Sequence, residues 1–268
     1  ARPAVGARRA RLGLAALLLG GVSAALSLLL GARPVTGDAP VALYPLDVLA
    51  GARAEDLAGG NDAALVHGST PVAGRIGGAV RFDGVDDYVE APHAASLDIG
   101  QGDLSITAWV QTTSADGIEV ILDHRDEDPR GVRGYCVFVS QGRLSAQLAD
   151  RDAPTKCSMG AGAACTNYLS GAFIADGSWH HIAVTVNRRA VDGGAFYVDG
   201  AVVGRFDATA RPRSLDNRAP LRIGSRSSSE SGFFRGVLDE VALYRRALSP
   251  EEVAAAAREG VVPGAAPR

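Results

Sequence analysis

The sequence is short of several features that would narrow its chemistry. It has one methionine and three cysteines in 268 residues, and no Cys or His spacing matches a zinc site. It has no charge excess to speak of. Lys and Arg number 27, Asp and Glu 30, and the formal charge is −3. A nucleic-acid surface needs a basic stripe, so no nucleic-acid partner is expected. No internal repeat and no second folded domain can be read from it, and only one stretch, near the C-terminus, reads as a helix. No serine sits in a nucleophile-elbow pattern.

Turn residues are what the chain has in quantity: 33 glycines and 13 prolines. They separate short apolar runs, a pattern of many tight turns in an all-β sandwich or barrel. The N-terminal segment differs. Arg8, Arg9 and Arg11 precede an uncharged run of 19 residues from Leu12 to Leu30. A basic flank before an apolar stretch reads as a signal peptide or signal-anchor helix over residues 1–32. Residues 12–30 are long enough to tether the chain in a bilayer. Residues 33–40 follow as a linker, 41–260 as one folded domain, and 261–268 as a flexible tail. The domain is therefore expected to be secreted or membrane-anchored, outside the cytoplasm. There, thiols tend to pair. Cys157 and Cys165 flank a Gly/Ala-rich loop and are expected to form a local disulfide. Cys136, in a strand pattern, is expected to be a buried free thiol.

From Val41 the strands expected are Val41–Leu46, Ala79–Phe82, Tyr88–Glu90, Leu104–Val110, Glu119–Leu122, Tyr135–Ser140, Arg143–Leu148, His180–Asn187, Phe196–Val198, Ala201–Phe206, Leu221–Ile223 and Val237–Tyr244. Gln141-Gly142 and Asp199-Gly200 are hairpin turns. Ser249-Pro250-Glu251-Glu252 places a Ser cap, a Pro at the first helical position and a Glu three residues past the cap, announcing one short helix that stops near Gly260. So many short strands imply two packed antiparallel sheets. The acid-rich stretch Asp123-His124-Arg125-Asp126-Glu127-Asp128 reads as a solvated rim loop.

Four stretches in order carry a resemblance. They are Phe82-Asp83-Gly84-Val85-Asp86-Asp87-Tyr88-Val89, then Leu104–Val110, then Asp176–Thr185 with Phe196–Gly200, and finally Ile223-Gly224 with Phe234–Val241 and Tyr244–Glu252. Together they resemble the laminin-G-like, concanavalin A-like lectin/glucanase jelly-roll family. The resemblance implies a two-sheet antiparallel jelly-roll β-sandwich. It also implies a recognition or adhesion module binding a glycan or an extracellular protein, with a structural Ca2+ that ties the N-terminal segment to the last strand. By the same resemblance Asp47, Asp56, Asn61 and Asp239 are the candidate metal ligands. Fold does not dictate function, and a purely structural or protein-interaction domain without a small ligand is the alternative.

The members of this superfamily that cut glucans carry Glu, apolar, Asp, apolar, Glu on one strand. No such run occurs here. Glu119 and Asp123 are four apart with no third acid at the required step, and Asp239 and Glu240 are expected to point to opposite faces. A glycoside hydrolase is disfavoured, and the chain is not expected to be an enzyme. Neighbouring His180 and His181 likewise face opposite ways and cannot chelate one ion as a pair. For a glycan, an aromatic platform is needed. Trp109 has the parity opposite to its strand's apolar face and is the candidate ligand-binding residue, unless loops cover it.

Overall fold

Asp199 and Gly200 stand at φ 52° and 81°, and Gln141 and Gly142 at φ 50° and 74°. Two successive left-handed residues twist a hairpin the way its strands twist, so both expected turns close. The computed structural model describes residues 39–47, 52–128, 131–151 and 165–261. The signal or anchor segment, most of the linker, Cys157 and the tail beyond Val261 lie outside the described residues.

The described chain forms sixteen strands and one α-helix. The strands are β1 (Ala42–Tyr44), β2 (Arg53–Ala54), β3 (Ala63–Val66), β4 (Thr70–Ala73), β5 (Gly78–Asp83), β6 (Tyr88–Ala91), β7 (Leu104–Gln111), β8 (Ile118–Asp128), β9 (Gly131–Ser140), β10 (Arg143–Arg151), β11 (Cys165–Phe173), β12 (Trp179–Val186), β13 (Gly194–Val198), β14 (Ala201–Phe206), β15 (Leu221–Ile223) and β16 (Arg235–Tyr244). The first sheet runs β14-β13-β12-β7-β16-β5-β4, with β1 also on β16, and the second β11-β10-β9-β8-β15-β6-β3-β2. Every pairing is antiparallel. The fold is the two-sheet jelly-roll sandwich that the strand pattern and the resemblance imply.

The core lies between the sheets. Ile106, Ala108 and Val110 of β7 and Ile182, Val184 and Val186 of β12 face inward, opposite Leu122, Val137 and Val139 of the second sheet. The helix α1 (Pro250–Glu259) closes the outer face of the first sheet, where Val253 packs with Leu43, Tyr197, Ala242 and Tyr244. Its start is as expected: Ser249 and Glu252 form a reciprocal capping box, satisfying two backbone donors that would otherwise be orphaned.

Two expectations need correction. Strands β2, β3, β4 and β11 fall outside the expected set. The exposure of β11 alternates without an apolar face, because it is a sheet edge carrying Ser170 and Gly171. And the acid-rich stretch is no rim loop: Asp123–Asp128 is the second half of β8. Beyond the short β15, which pairs β8 only at Leu122 and Asp123, serine hydroxyls take over along β8. Ser227 donates to the Asp123 carbonyl at 2.7 Å and Ser228 to the Arg125 carbonyl at 2.6 Å. Local sequence reads as loop because its charges are many; in the strand Asp123, Arg125 and Glu127 find partners in one another and in Gln147, Arg226 and Ser227.

Candidate binding site on the outer face of the second sheet

Residues directly opposite in neighbouring strands share a face. The register places Asp123 of β8 against Cys136 of β9, Cys136 against Gln147 of β10, and Gln147 against Asn167 of β11. This row points away from the core. One step along, Val120, Phe138, Ser145 and Leu169 form a second row by the same pairings. Val120, Cys136 and Phe138 make a small apolar cluster separate from the main core. The outer face therefore carries a polar row beside an apolar one.

The polar row is tied into a network. Arg125 Nε lies 3.1 and 3.0 Å from the two Asp123 carboxylate oxygens, and its Nη2 bonds the same carboxylate. Its Nη1 donates to the Gln147 side-chain oxygen and pairs with Glu127 at 2.7 Å. Gln147 passes the chain on, donating to Asn167 Oδ1 at 2.5 Å. On the other side Ser227 Oγ donates to Asp123 Oδ1 at 3.3 Å, and Arg226 pairs with Glu127 at 3.4 Å. Asp123 and Arg125 are buried, so each charge depends on the other. Burial pushes the Asp123 carboxyl up while the Arg125 guanidinium pulls it back; burial lowers the guanidinium pKa, but the Asp123 charge outweighs it and holds Arg125 protonated. Burial also pushes the free Cys136 thiol well up, which keeps it in the unreactive protonated form.

Around this network lies a depression of about 380 Å³ lined by Ile118, Val120, Arg125, Glu127, Val132, Cys136, Phe138, Gln147, Asn167 and Arg226. Its polar groups are planar amides, guanidinia and a carboxylate, held in place by one another over an apolar floor. A ligand pocket of this kind offers a few fixed polar groups for orientation and apolar surface for contact. The chemistry suits a hydroxyl-rich ligand with one apolar face. Asp123 is bonded by Arg125 and Ser227, and Glu127 is the target of two arginines.

A profile of the concanavalin A-like lectin/glucanases superfamily matches residues 83–254. The chain belongs to this family. Among solved structures the family fold recurs in the binding domain of Paraclostridial mosquitocidal protein 1, at 18% identity and a TM-score of 0.63 over 82% of this chain and 52% of that one. It recurs in the botulinum neurotoxin serotype G binding domain, at 15% identity and 0.57 over 81% and 50%. Domain 4 of AbnA, an extracellular arabinanase of Geobacillus stearothermophilus solved with arabinotriose, matches at 17% identity and 0.58 over 82% of this chain and 98% of that domain. The chain spans about half the length of the toxin binding domains it matches. No curated protein matches the sequence.

The family's calcium expectation meets a divided geometry. Asp56 Oδ1 accepts the N–H groups of Leu43, Ala58 and Gly59, and Oδ2 accepts both the backbone and the side-chain N–H of Asn61. Asn61 Oδ1 is taken by Ser96. These two residues organise a turn. Asp47 and Asp239 meet elsewhere, at the loop between β4 and β5. Asp239 Oδ2 accepts from Arg75 and Ile76 N–H at 2.8 and 3.0 Å while its Oδ1 is buried without a partner. Asp47 accepts from Gly78 N–H at 2.6 Å. A β-carbon at Gly77, φ +62°, would fall 2.2 Å from that same oxygen, so glycine is required there. Among the described residues, the His/Cys/Asp/Glu groups of three or more with ligand atoms within 4.8 Å of one another are His93–Asp98–His124 and Asp83–Asp86–Asp87. Neither contains any of the four expected ligands.

Trp109 is placed as its parity implies but is not an open platform. It is 6% exposed, with the Arg75 guanidinium carbon 4.8 Å above the ring and His181 edge-on at 5.4 Å. The β4–β5 loop closes over it. Sequence reasoning missed Gln147, Asn167 and Arg226. No motif marks them. Gln147 and Asn167 were signalled only as polar residues at the outward parity of strands whose register the sequence does not state, and Arg226, in the connection after β15, carried no signal.

Proposed function

We propose that this domain is a non-catalytic recognition module outside the cytoplasm that binds a glycan chain in the depression between Arg125, Glu127, Gln147, Asn167 and Arg226. The observation that carries the reading is the locked polar row beside an apolar row on one open sheet face. The family's lectins, and the arabinotriose-bound arabinanase domain matched over nearly its whole length, favour a sugar over other ligands. Export rests on the basic flank and the Leu12–Leu30 run; a reporter active only after export, fused after residue 40, tests it.

The binding test is a glycan array with the purified chain, followed by titration of the best ligand. Replacing Asn167 or Arg226, both at the edge of the network, by Ala should weaken binding about tenfold each, the equivalent of one good hydrogen bond to a ligand. A reducing-sugar assay on the same ligand should stay at background. An array without ligands would leave the alternative, a protein-interaction or structural domain. Binding indifferent to both substitutions would move the site off this face.

A further inference from the structure

His124 of β8 is fully buried, yet neither of its ring nitrogens makes a hydrogen bond within the protein. Buried polar atoms almost always have partners, so an imidazole with two orphaned nitrogens calls for a ligand. What faces it is suggestive. His93, in the connection after β6, stacks on it with ring centroids 6.1 Å apart and planes at 11°. Asp98 follows the 3-10 turn Ala95–Leu97, and its Oδ1 is likewise buried without a partner. One ligand atom from each of these three side chains lies within 4.8 Å of the others. Asp216 adds a further negative charge nearby, felt by both Asp98 and His124.

From this geometry we propose that His93, Asp98 and His124 form a binding site for a divalent transition metal, with zinc the fitting ion. Two imidazoles and a carboxylate are the nitrogen and oxygen donors that zinc takes at about 2.0–2.2 Å, whereas calcium and magnesium prefer oxygen alone. Three protein donors leave a fourth position to water, and the exposed His93 places that opening at the surface. To reach bonding distance the donors must draw together by roughly an ångström. His93 sits in a connection rather than a strand and is free to make that move. His124 is held: Tyr135 packs against its ring at 5.3 Å, and Asn217 bonds its carbonyl at 3.0 Å. The ion would clip the β6–β7 connection to the strand that carries Arg125 on its other face.

The site is invisible to motif reading because its donors are 5 and 26 residues apart in sequence and meet only where β8 passes beneath the connection.

The test uses the full chain stripped of metal and titrated with zinc chloride against a chromophoric chelator, with calcium chloride as a parallel probe. The expected result is one zinc per chain that calcium does not displace. His93→Ala and Asp98→Asn, neither of which opens a cavity in the core, should each weaken zinc at least about tenfold, the cost of losing even an outer-shell partner. His180→Ala removes the other accessible histidine–aspartate arrangement, with Asp176 and Asp199, and should leave zinc uptake unchanged. Cobalt substitution should give the visible absorption of a four-coordinate site in the wild type and lose it in the first two variants. Absence of saturable zinc uptake, or uptake retained in either His93→Ala or Asp98→Asn, overturns the proposal.

Discussion

Glu240 stands beside Asp239 on the outer face of the first sheet, although consecutive strand residues normally face opposite ways. The register of β16 against β7 slips between Asp239 and Ala242, and Glu240 takes φ 51° as the extra residue of a bulge. Such an insertion re-aims a side chain. Glu240 accepts the Val261 N–H at 3.2 Å, next to the residues that α1 covers. The opposite-face expectation fails here for that reason. Burial, with some help from the Asp47 charge, pushes Asp239 up to about 6, and burial, with some help from Asp239 and Asp47, pushes Glu240 up to about 7.

A carboxyl raised in the folded state holds a proton that the unfolded chain gives up. Stability from it is greatest below its unfolded pKa and is lost as pH climbs towards the folded one. Glu240→Gln keeps an acceptor for Val261 and removes the titration. The stability of this variant relative to wild type should grow between about pH 4.5 and 7 by on the order of 2–3 kcal/mol, then level off. His124 and His181, lowered to about 4 by burial, act in the opposite sense, weakening the fold as pH falls below their unfolded value. The difference between variant and wild type is therefore the measurement, by urea unfolding across that range. A flat difference would show that Glu240 ionises in the fold as freely as in water.

The same pair tests calcium. If an ion relieves Asp47 and Asp239, chelator should lower Tm and millimolar calcium should restore it, by an amount equivalent to about 2.7 kcal/mol at a hundredfold excess over Kd. Asp239→Ala should abolish most of the response. With the bulge, Glu240→Ala should reduce it too. Superimposable melting curves with chelator and with calcium would mean no structural calcium, and the acids would be turn formers at a glycine loop.

Arg125→Ala should cost roughly 3–5 kcal/mol in urea unfolding, because it strands the buried Asp123 charge. The double variant Asp123→Leu, Arg125→Met should cost much less, since it removes both charges together. Equal losses in the two would show that packing, rather than the ion pair, makes Arg125 necessary.

Non-reducing peptide mapping should find Cys157 joined to Cys165 and Cys136 unmodified. In the native chain Cys136 should resist thiol reagents and react only on unfolding, since it is 2% exposed and its thiolate is disfavoured by burial. Rapid native modification of Cys136 would contradict its place in the Val120–Phe138 cluster.

Much of the fold is legible because its signals are local. Asp199-Gly200 and Gln141-Gly142 specify their turns by backbone preference alone, Ser249 and Glu252 specify a helix start within four residues, and the alternation of Leu104, Ile106, Ala108 and Val110 names the buried face of β7. The family resemblance rests on the same short stretches. Strands β2, β3, β4 and β11 and the second half of β8 were not legible. Along β8 and β11, Arg125 and Asn167 are both bonded to Gln147, and the Asp123 and Arg125 carbonyls to Ser227 and Ser228, partners twenty or more residues away in sequence.

By itself the sequence determined the all-β class, the turns that close its hairpins, the capped helix and the parity that turns Trp109 away from the core. Tertiary structure alone decided what those outward residues do. Arg75 covers Trp109, a bulge brings Glu240 round to Asp239, Asp56 is consumed by backbone N–H groups, and the donors His93, Asp98 and His124 are gathered from separate elements. The physical reason is range. Backbone preference and side-chain alternation act over a few residues, whereas burial, ion pairing and ligand geometry depend on strand register, and register is settled only when whole sheets pack.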